Sequence, residues 1–84
     1  MENTEERELT FGEKAVGLTF NPSKDSDVGG MVHRIKEDCA KAIDTMNMYR
    51  HNTEDGEKKR MLSVAITELQ TAQMWAVKAV TWSN

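Results

Sequence analysis

A short segment near the N-terminus places an aromatic ring beside polar side chains on a stiff turn, Phe20-Asn21-Pro22-Ser23. Pro22 restricts Asn21 to an extended or turn conformation, so the segment can present the Phe20 ring as a flat platform. An aromatic ring that stacks on a nucleobase contributes roughly 1–3 kcal/mol in single-strand binders. Asn21 and Ser23 would add polar contacts, and Lys36 could reach a phosphate as a point charge. The open alternative is a structural loop with Phe20 packed against helices.

A second pattern lies in the C-terminal half, where only Glu68 and Lys78 carry charge between Met61 and Ser83. On a helical projection, mostly polar residues fall on one arc about 100° wide. They are Arg60, Ser63, Thr67, Gln70, Thr71, Met74, Lys78 and Thr81. Copies of this stripe converging on a symmetry axis would form a polar cavity suited to nucleobase edges, with Arg60 donating to phosphate. Alternatively, the stripe simply faces water.

Catalytic and metal-binding patterns are missing from the sequence. His33 and Cys39 are six residues apart, so on one helix they point to different faces. No cluster of His, Cys, Asp or Glu has metal-ligand spacing, and Gly29-Gly30 lacks the context of a phosphate-binding loop. Cys39 is interpreted as a core thiol. We therefore predict that the protein is not an enzyme and that it needs neither metal nor cofactor.

Composition narrows the class of protein. The chain has 84 residues, 38% hydrophobic and 30% charged, which is typical of one small folded domain. No apolar stretch is long enough to span a membrane, the N-terminus lacks a signal-peptide pattern, and the single cysteine suits a reducing cytoplasm. Residues 1–13 carry five glutamates against one arginine, so the near-neutral remainder lacks the basic stripe that duplex nucleic acid requires. We expect an acidic tail over 1–11 and a helical domain over 12–84.

The apolar spacing predicts an all-α fold. Thr10 and Glu13 have capping-box spacing and should start a short helix that Gly17 ends. A long helix should run from Val28, or from Met31 because of Gly29-Gly30, to about Arg50. Its apolar seam is Val28, Val32, Ile35, Cys39, Ile43 with Ala42, Met46 and Tyr49, and Lys36 lies off the seam. A second long helix should run from Thr53 or Glu57 to Trp82, and the short connection makes the pair an antiparallel hairpin.

The second long helix is apolar over a wider arc than one partner helix can cover. Its apolar residues are Leu62, Ala65, Ile66, Leu69, Ala72, Trp75, Ala76, Ala79, Val80 and Trp82, interrupted mainly by Glu68 and Gln73. Leaving a few hundred Å² of this surface in water would forgo several kcal/mol at about 25 cal/mol per Å². The sequence therefore predicts self-assembly, with symmetry as the default.

Several stretches of the chain resemble a known family. They are Gly12 to Ser23, Ile35-Lys36, Ala42-Ile43-Asp44, Arg60, and Ala65 to Ala79. These stretches are similar to the small bacteriophage anti-CBASS sponges, whose hairpin domain is shared with phage inhibitors of Thoeris signalling. The likeness covers roughly residues 12–82, and the chain is similar to members from T-even-like phages.

The resemblance implies a function and an assembly. Such proteins bind cyclic oligonucleotides made by bacterial cyclases and withhold them, uncleaved, from CBASS effectors in the cytoplasm of the infected host. They assemble as compact hexamers that hold cyclic dinucleotides, such as cGAMP, between paired protomers and cyclic trinucleotides where three protomers meet. At the dinucleotide site the resemblance implies Phe20 for stacking, Lys36 for phosphate, and Asn21, Pro22 and Ser23 as a lid. At the trinucleotide site it implies Arg60 and Thr67, with Ser63 and Gln70 added because they share the stripe.

Two other functions remain open from the residues alone. A structural or interaction protein would use both polar zones to contact another helical protein. A helical nucleic-acid binder is disfavoured by the near-neutral body, and steep salt dependence of DNA binding would revive it.

Overall fold

The computed structural model describes residues 7–19 and 26–83, and within them every regular element is a helix. Helix α1 spans Phe11–Ala15, α2 spans Ser26–Asn52 and α3 spans Gly56–Thr81. The two long helices pack against each other as a hairpin, and α1 packs on α2. The predicted all-α hairpin is confirmed. Across the described residues, no helix is long and apolar enough to cross a membrane.

The predicted capping box starts α1. Glu13 N–H donates to Thr10 Oγ1 at 3.1 Å, and Thr10 N–H donates to the Glu13 carboxylate at 2.9 Å. Arg7 donates to both oxygens of the same carboxylate at 2.9 and 3.1 Å. These bonds from Arg7 and Thr10 stabilise the charged form and lower the pKa of Glu13. Because α1 has only five residues, this first turn fixes much of its geometry.

The long helices start and end close to the predicted residues. Helix α2 begins at Ser26, before the expected Val28, so Gly29 and Gly30 lie inside its first turns. It continues to Asn52, two residues past the expected end. Asp55 is the N-cap of α3, and its side chain accepts hydrogen bonds from the backbone N–H groups of Glu57 and Lys58.

A small core joins the three helices. Its buried residues are Val16, Ala40, Ile43 and Ile66, packed by Ala15, Leu18, Cys39, Met46 and Leu69. Burial, with a smaller contribution from the charge of Asp38, raises the pKa of the half-buried Cys39 thiol. The predicted seam is wrong at several positions of α2: Ala42 is exposed, and Ala40, which the seam omitted, is buried. Tyr49 is 57% exposed, and Lys36, expected off the seam, is only 6% exposed.

Gly12 is the point of closest approach between α1 and α2. Its backbone N–H donates to Asp44 Oδ1 at 2.6 Å. A Cβ at this position would overlap the carbonyl oxygen of Ala40 and lie 2.9 Å from Asp44 Oδ1. Only glycine therefore allows α1 to approach α2 this closely, because a side chain at position 12 would push the two backbones apart.

We expect Gly12→Ala to destabilise the protein by about 1–3 kcal/mol, the usual cost of overpacking, because neither backbone can yield. Gly30→Ala is the matched control, since a Cβ there meets nothing within 4 Å. Alanine in that exposed helical position should be neutral or stabilising by up to ~1 kcal/mol. Urea denaturation followed by circular dichroism measures both changes. Equal stability of the two variants would contradict the close approach.

Large apolar side chains remain exposed along the side of α3 that faces away from α2. We call Met61, Val64, Trp75 and Trp82 the outer face of α3. Trp75 and Trp82 are each 65% exposed. The Lys78 ammonium lies 5.1 Å from the centre of the Trp75 ring and 5.7 Å from that of Trp82. The hairpin therefore buries one side of α3 and leaves the other in water.

Candidate functional site

Lys36 is a buried cation held by the end of α1. Its Nζ donates to the carbonyl oxygen of Gly17 at 2.9 Å. Gly17 ends the α1 turn with a φ of 62°, in the left-handed region that glycine adopts without strain. Burial lowers the pKa of Lys36, because removing water disfavours the charged ammonium. The fold thus places a partly desolvated positive group at a defined position.

A groove opens beside this lysine, between the end of α1, the first half of α2 and the C-terminal half of α3. Its volume is about 490 Å³, within the range of small-molecule sites. We call it the Lys36 groove. It is lined by Lys14, Ala15, Val16, Gly17, Val32, Lys36, Gln73, Met74, Val77 and Thr81. Two lysines on an otherwise mostly uncharged wall suit an anion attached to a flat organic body.

Only part of the predicted dinucleotide site can be located. Phe20, Asn21, Pro22 and Ser23 lie outside the described residues. Lys36 lines the groove, but from a buried position rather than from the polar side of α2.

Gln73 of α3 is a groove residue that sequence reasoning missed, because it was interpreted as an interruption of the apolar arc. Its spacing of seven from the buried Ile66 places both residues on the same inward side of α3, and this was the available signal.

A second depression lies on α3. It has a volume of about 400 Å³ and is lined by Arg60, Ser63, Val64, Thr67 and Glu68; we call it the Arg60 depression. The exposed Arg60 guanidinium forms an ion pair with Glu57, and Nε lies 3.2 Å from the carboxylate. This pairing raises the pKa of Arg60 and lowers that of Glu57. Three of the four predicted trinucleotide residues therefore lie around one depression.

The predicted polar stripe of α3 does not form a single surface, because two of its residues are held inside the hairpin. Ser63 Oγ accepts a hydrogen bond from Arg50 Nη1 at 2.9 Å. Gln70 Nε2 donates to the carbonyl oxygen of Ala15 at 3.1 Å, across to α1. Arg50 also donates to Asn47 Oδ1 at 2.6 Å, and its guanidinium lies 5.4 Å from the centre of the Phe11 ring. Ser63 and Gln70 thus help hold the three helices together, whereas Thr67 and Arg60 remain exposed.

Residues with metal-binding side chains do not cluster in the described part of the chain. Among residues 7–19 and 26–83, no group of three or more His, Cys, Asp or Glu could hold a metal ion. His33 Nε2 lies 3.2 Å from the Glu37 carboxylate, an exposed contact one helical turn apart. The two described hollows instead offer cations, amides and hydroxyl groups, which are the groups that bind organic phosphates.

The family model described as Acb2/Tad1, hairpin domain, matches residues 13–81. That span includes all of α2 and α3 and most of α1. No match was found among curated proteins or among solved structures.

Proposed function

The chain belongs to the Acb2/Tad1 hairpin-domain family, and we propose that it sequesters cyclic dinucleotides of the cGAMP type and cyclic trinucleotides, without cleaving them. The family is known for sequestering cyclic nucleotides and is not a family of enzymes. Captured messengers would be withheld from CBASS effectors in the cytoplasm of a bacterium infected by a phage. The proposal is one of stoichiometric binding, so each bound messenger needs a protein site.

The observation that carries this proposal is the buried ammonium of Lys36 at the wall of the groove. A phosphodiester placed there would pair with a cation that is already partly desolvated and fixed by its bond to Gly17. Charge-assisted hydrogen bonds are about twice as strong as neutral ones. Because the cation is already held in place and a cyclic ligand is itself rigid, the conformational ordering cost of binding is limited. A sponge needs nanomolar affinity, about −12 kcal/mol, to compete with an effector.

Self-assembly, as a hexamer, is part of the proposal. The outer face of α3 supports it, because Trp75 and Trp82 expose most of their surface in the single chain. Tryptophan is enriched at the centres of protein interfaces, where it provides large contact area. Pairing of subunits would close the Lys36 groove and add residues to it. The Arg60 depression, repeated in several subunits, would then form the trinucleotide site.

The direct test is native mass spectrometry of the full chain with cyclic di- and trinucleotides together. We expect a hexamer that binds both ligand classes at separate, saturable stoichiometries, and chromatography should recover both ligands intact. A melting temperature that rises with ligand concentration would give the same answer, because only the folded protein binds. A hexamer that binds no cyclic nucleotide would leave the interaction-protein alternative, which the exposed tryptophans also favour.

Arg60→Ala should weaken cyclic trinucleotide binding about 10- to 100-fold and leave dinucleotide binding unchanged, because the Arg60 depression is separate from the Lys36 groove. Thr67→Ala should act in the same direction with a smaller effect. Lys59→Ala is the matched control, an exposed cation one residue away. Isothermal titration calorimetry with each ligand class measures the selectivity. Equal losses for both classes would argue against two sites.

A further inference from the structure

Gln73 is a buried residue whose side-chain amide has no hydrogen-bond partner among the residues that the structure describes. The residue is only 6% exposed and lines the Lys36 groove from α3. Among residues 7–19 and 26–83, no hydrogen bond to its side-chain amide is found. Yet no fully buried side-chain nitrogen or oxygen in this part of the chain lacks a partner. The two findings agree only if the Gln73 amide reaches the surface of the groove.

Other polar side chains on the inward side of α3 are used differently. Gln70, one helical turn earlier, donates to the carbonyl oxygen of Ala15, and Ser63 accepts from Arg50. Both therefore serve the packing of the hairpin. Within the described ranges Gln73 makes no such bond, and its amide opens onto the groove instead. The packing of the hairpin therefore does not account for a glutamine at this position.

We infer that Gln73 reads the edge of an adenine base in a cyclic dinucleotide whose phosphate binds Lys36. This assignment rests on the proposed function and adds a specificity-determining residue to it. The amide has an acceptor, Oε1, beside a donor, Nε2. Adenine matches that pair on its major-groove edge, because its N6 amino group donates and its ring nitrogen N7 accepts. Guanine offers two acceptors, O6 and N7, on the corresponding edge, so one half of the amide would be unmatched.

The arrangement of the groove suits a nucleotide. Lys36 projects from α2 and Gln73 from α3, so the cation and the amide line the groove from different helices. A ligand between them can contact phosphate on one side and a base edge on the other. Val32 and Val77, also in the lining, provide apolar surface against a ring. Lys36 would hold any cyclic dinucleotide, whereas Gln73 would distinguish among bases.

The test is calorimetric titration of the full-length protein with cyclic di-AMP and, separately, cyclic di-GMP. Gln73→Met removes both hydrogen-bonding atoms at nearly constant volume. It should lower affinity for cyclic di-AMP about 5- to 150-fold and change affinity for cyclic di-GMP less than about twofold. Gln73→Glu keeps the acceptor but loses the donor, so it should remove one hydrogen bond with either base and lower the affinity for both ligands. Circular dichroism and native mass spectrometry check that both variants fold and assemble.

The outcomes separate the two proposals. Adenine-selective loss in Gln73→Met, with Lys36→Met weakening both ligands alike, supports the assignment. Equal effects of Gln73→Met on the two ligands, or no effect, would overturn it while leaving sequestration intact, provided that Lys36→Met still weakens binding. Absence of binding by the unaltered protein would overturn both.

Discussion

Replacing Lys36 with methionine is expected to weaken binding of cyclic dinucleotides about 10- to 100-fold and to leave the proposed hexamer intact. The lost interaction is a charge-assisted hydrogen bond, worth about 1.5–3 kcal/mol. Methionine keeps the length of the side chain, so the buried position remains filled although the bond to Gly17 is lost. Removing a buried charge also removes its desolvation cost, which limits the loss of stability. Calorimetry with one dinucleotide and native mass spectrometry provide the two measurements.

Lys41→Met is the matched control for this experiment. Lys41 lies on the same helix but is exposed, so its loss removes the same charge without touching the groove. We expect unchanged affinity for Lys41→Met. Equal weakening by both variants would mean that long-range attraction, rather than contact with Lys36, governs binding, and it would contradict the assigned role.

The pH dependence of ligand binding is a second test of the role of the Lys36 ammonium. Burial lowers the pKa of Lys36 from its ordinary value of 10.5, so the ammonium loses its proton earlier than an exposed lysine does. Affinity for an anion should therefore fall as pH rises through the lowered pKa, and Lys36→Met should lack this fall. The folding stability of the free protein changes with pH in the opposite direction from the affinity. Between the folded and unfolded pKa values the unfolded chain binds more protons, so stability rises with pH.

Trp75→Glu, or Trp82→Glu, is expected to weaken self-association by at least about 50-fold. Each ring exposes about 100–160 Å² in the single chain, worth ~2.5–4 kcal/mol if buried in an interface. A carboxylate would lose that contribution and would need to be desolvated as well. Because Lys78 lies beside both rings, it can pair with the new carboxylate, and the monomer should remain folded. Analytical ultracentrifugation at micromolar concentration measures the shift in mass.

Two controls accompany the tryptophan variants. Trp75→Phe keeps an apolar ring and should lower the association constant far less than glutamate does. Thr45→Glu adds the same charge at an exposed position of α2, away from the outer face of α3, and should leave the mass unchanged. An unchanged mass for both Trp→Glu variants would show that the outer face of α3 is not part of the interface between subunits.

Local signals in the sequence are sufficient to predict the helices. The capping box at Thr10 and Glu13 is confirmed because its bonds form within one turn and need no other element. The apolar periodicity likewise predicts the two long helices, and their short connection predicts the antiparallel pairing. The start of α2 differed because Gly29 and Gly30, which are unfavourable in an isolated helix, are tolerated inside a long one.

The inward-facing polar residues could not be assigned from the sequence. Lys36 was placed off the apolar seam because lysine is rarely buried, yet the Gly17 carbonyl gives its ammonium a partner from another element. Gln70 and Ser63 were grouped with exposed residues for a related reason. Their partners, Ala15 and Arg50, lie on other helices, so no periodicity within α3 reveals them. Whether a polar residue structures the fold or meets a ligand depends on such distant partners.

The hydrogen bond between Lys36 and the Gly17 carbonyl joins residues nineteen positions apart. The position of the Lys36 ammonium in the groove therefore depends on the positive φ of Gly17. Because glycine holds that torsion at little energetic cost, the ammonium is already aimed in an isolated subunit. Association would then bring together anion-binding half-sites in which the cation is already positioned before the subunits meet. A newly synthesised chain could bind the messenger at its own half-site first, and the second subunit would then slow dissociation of the ligand.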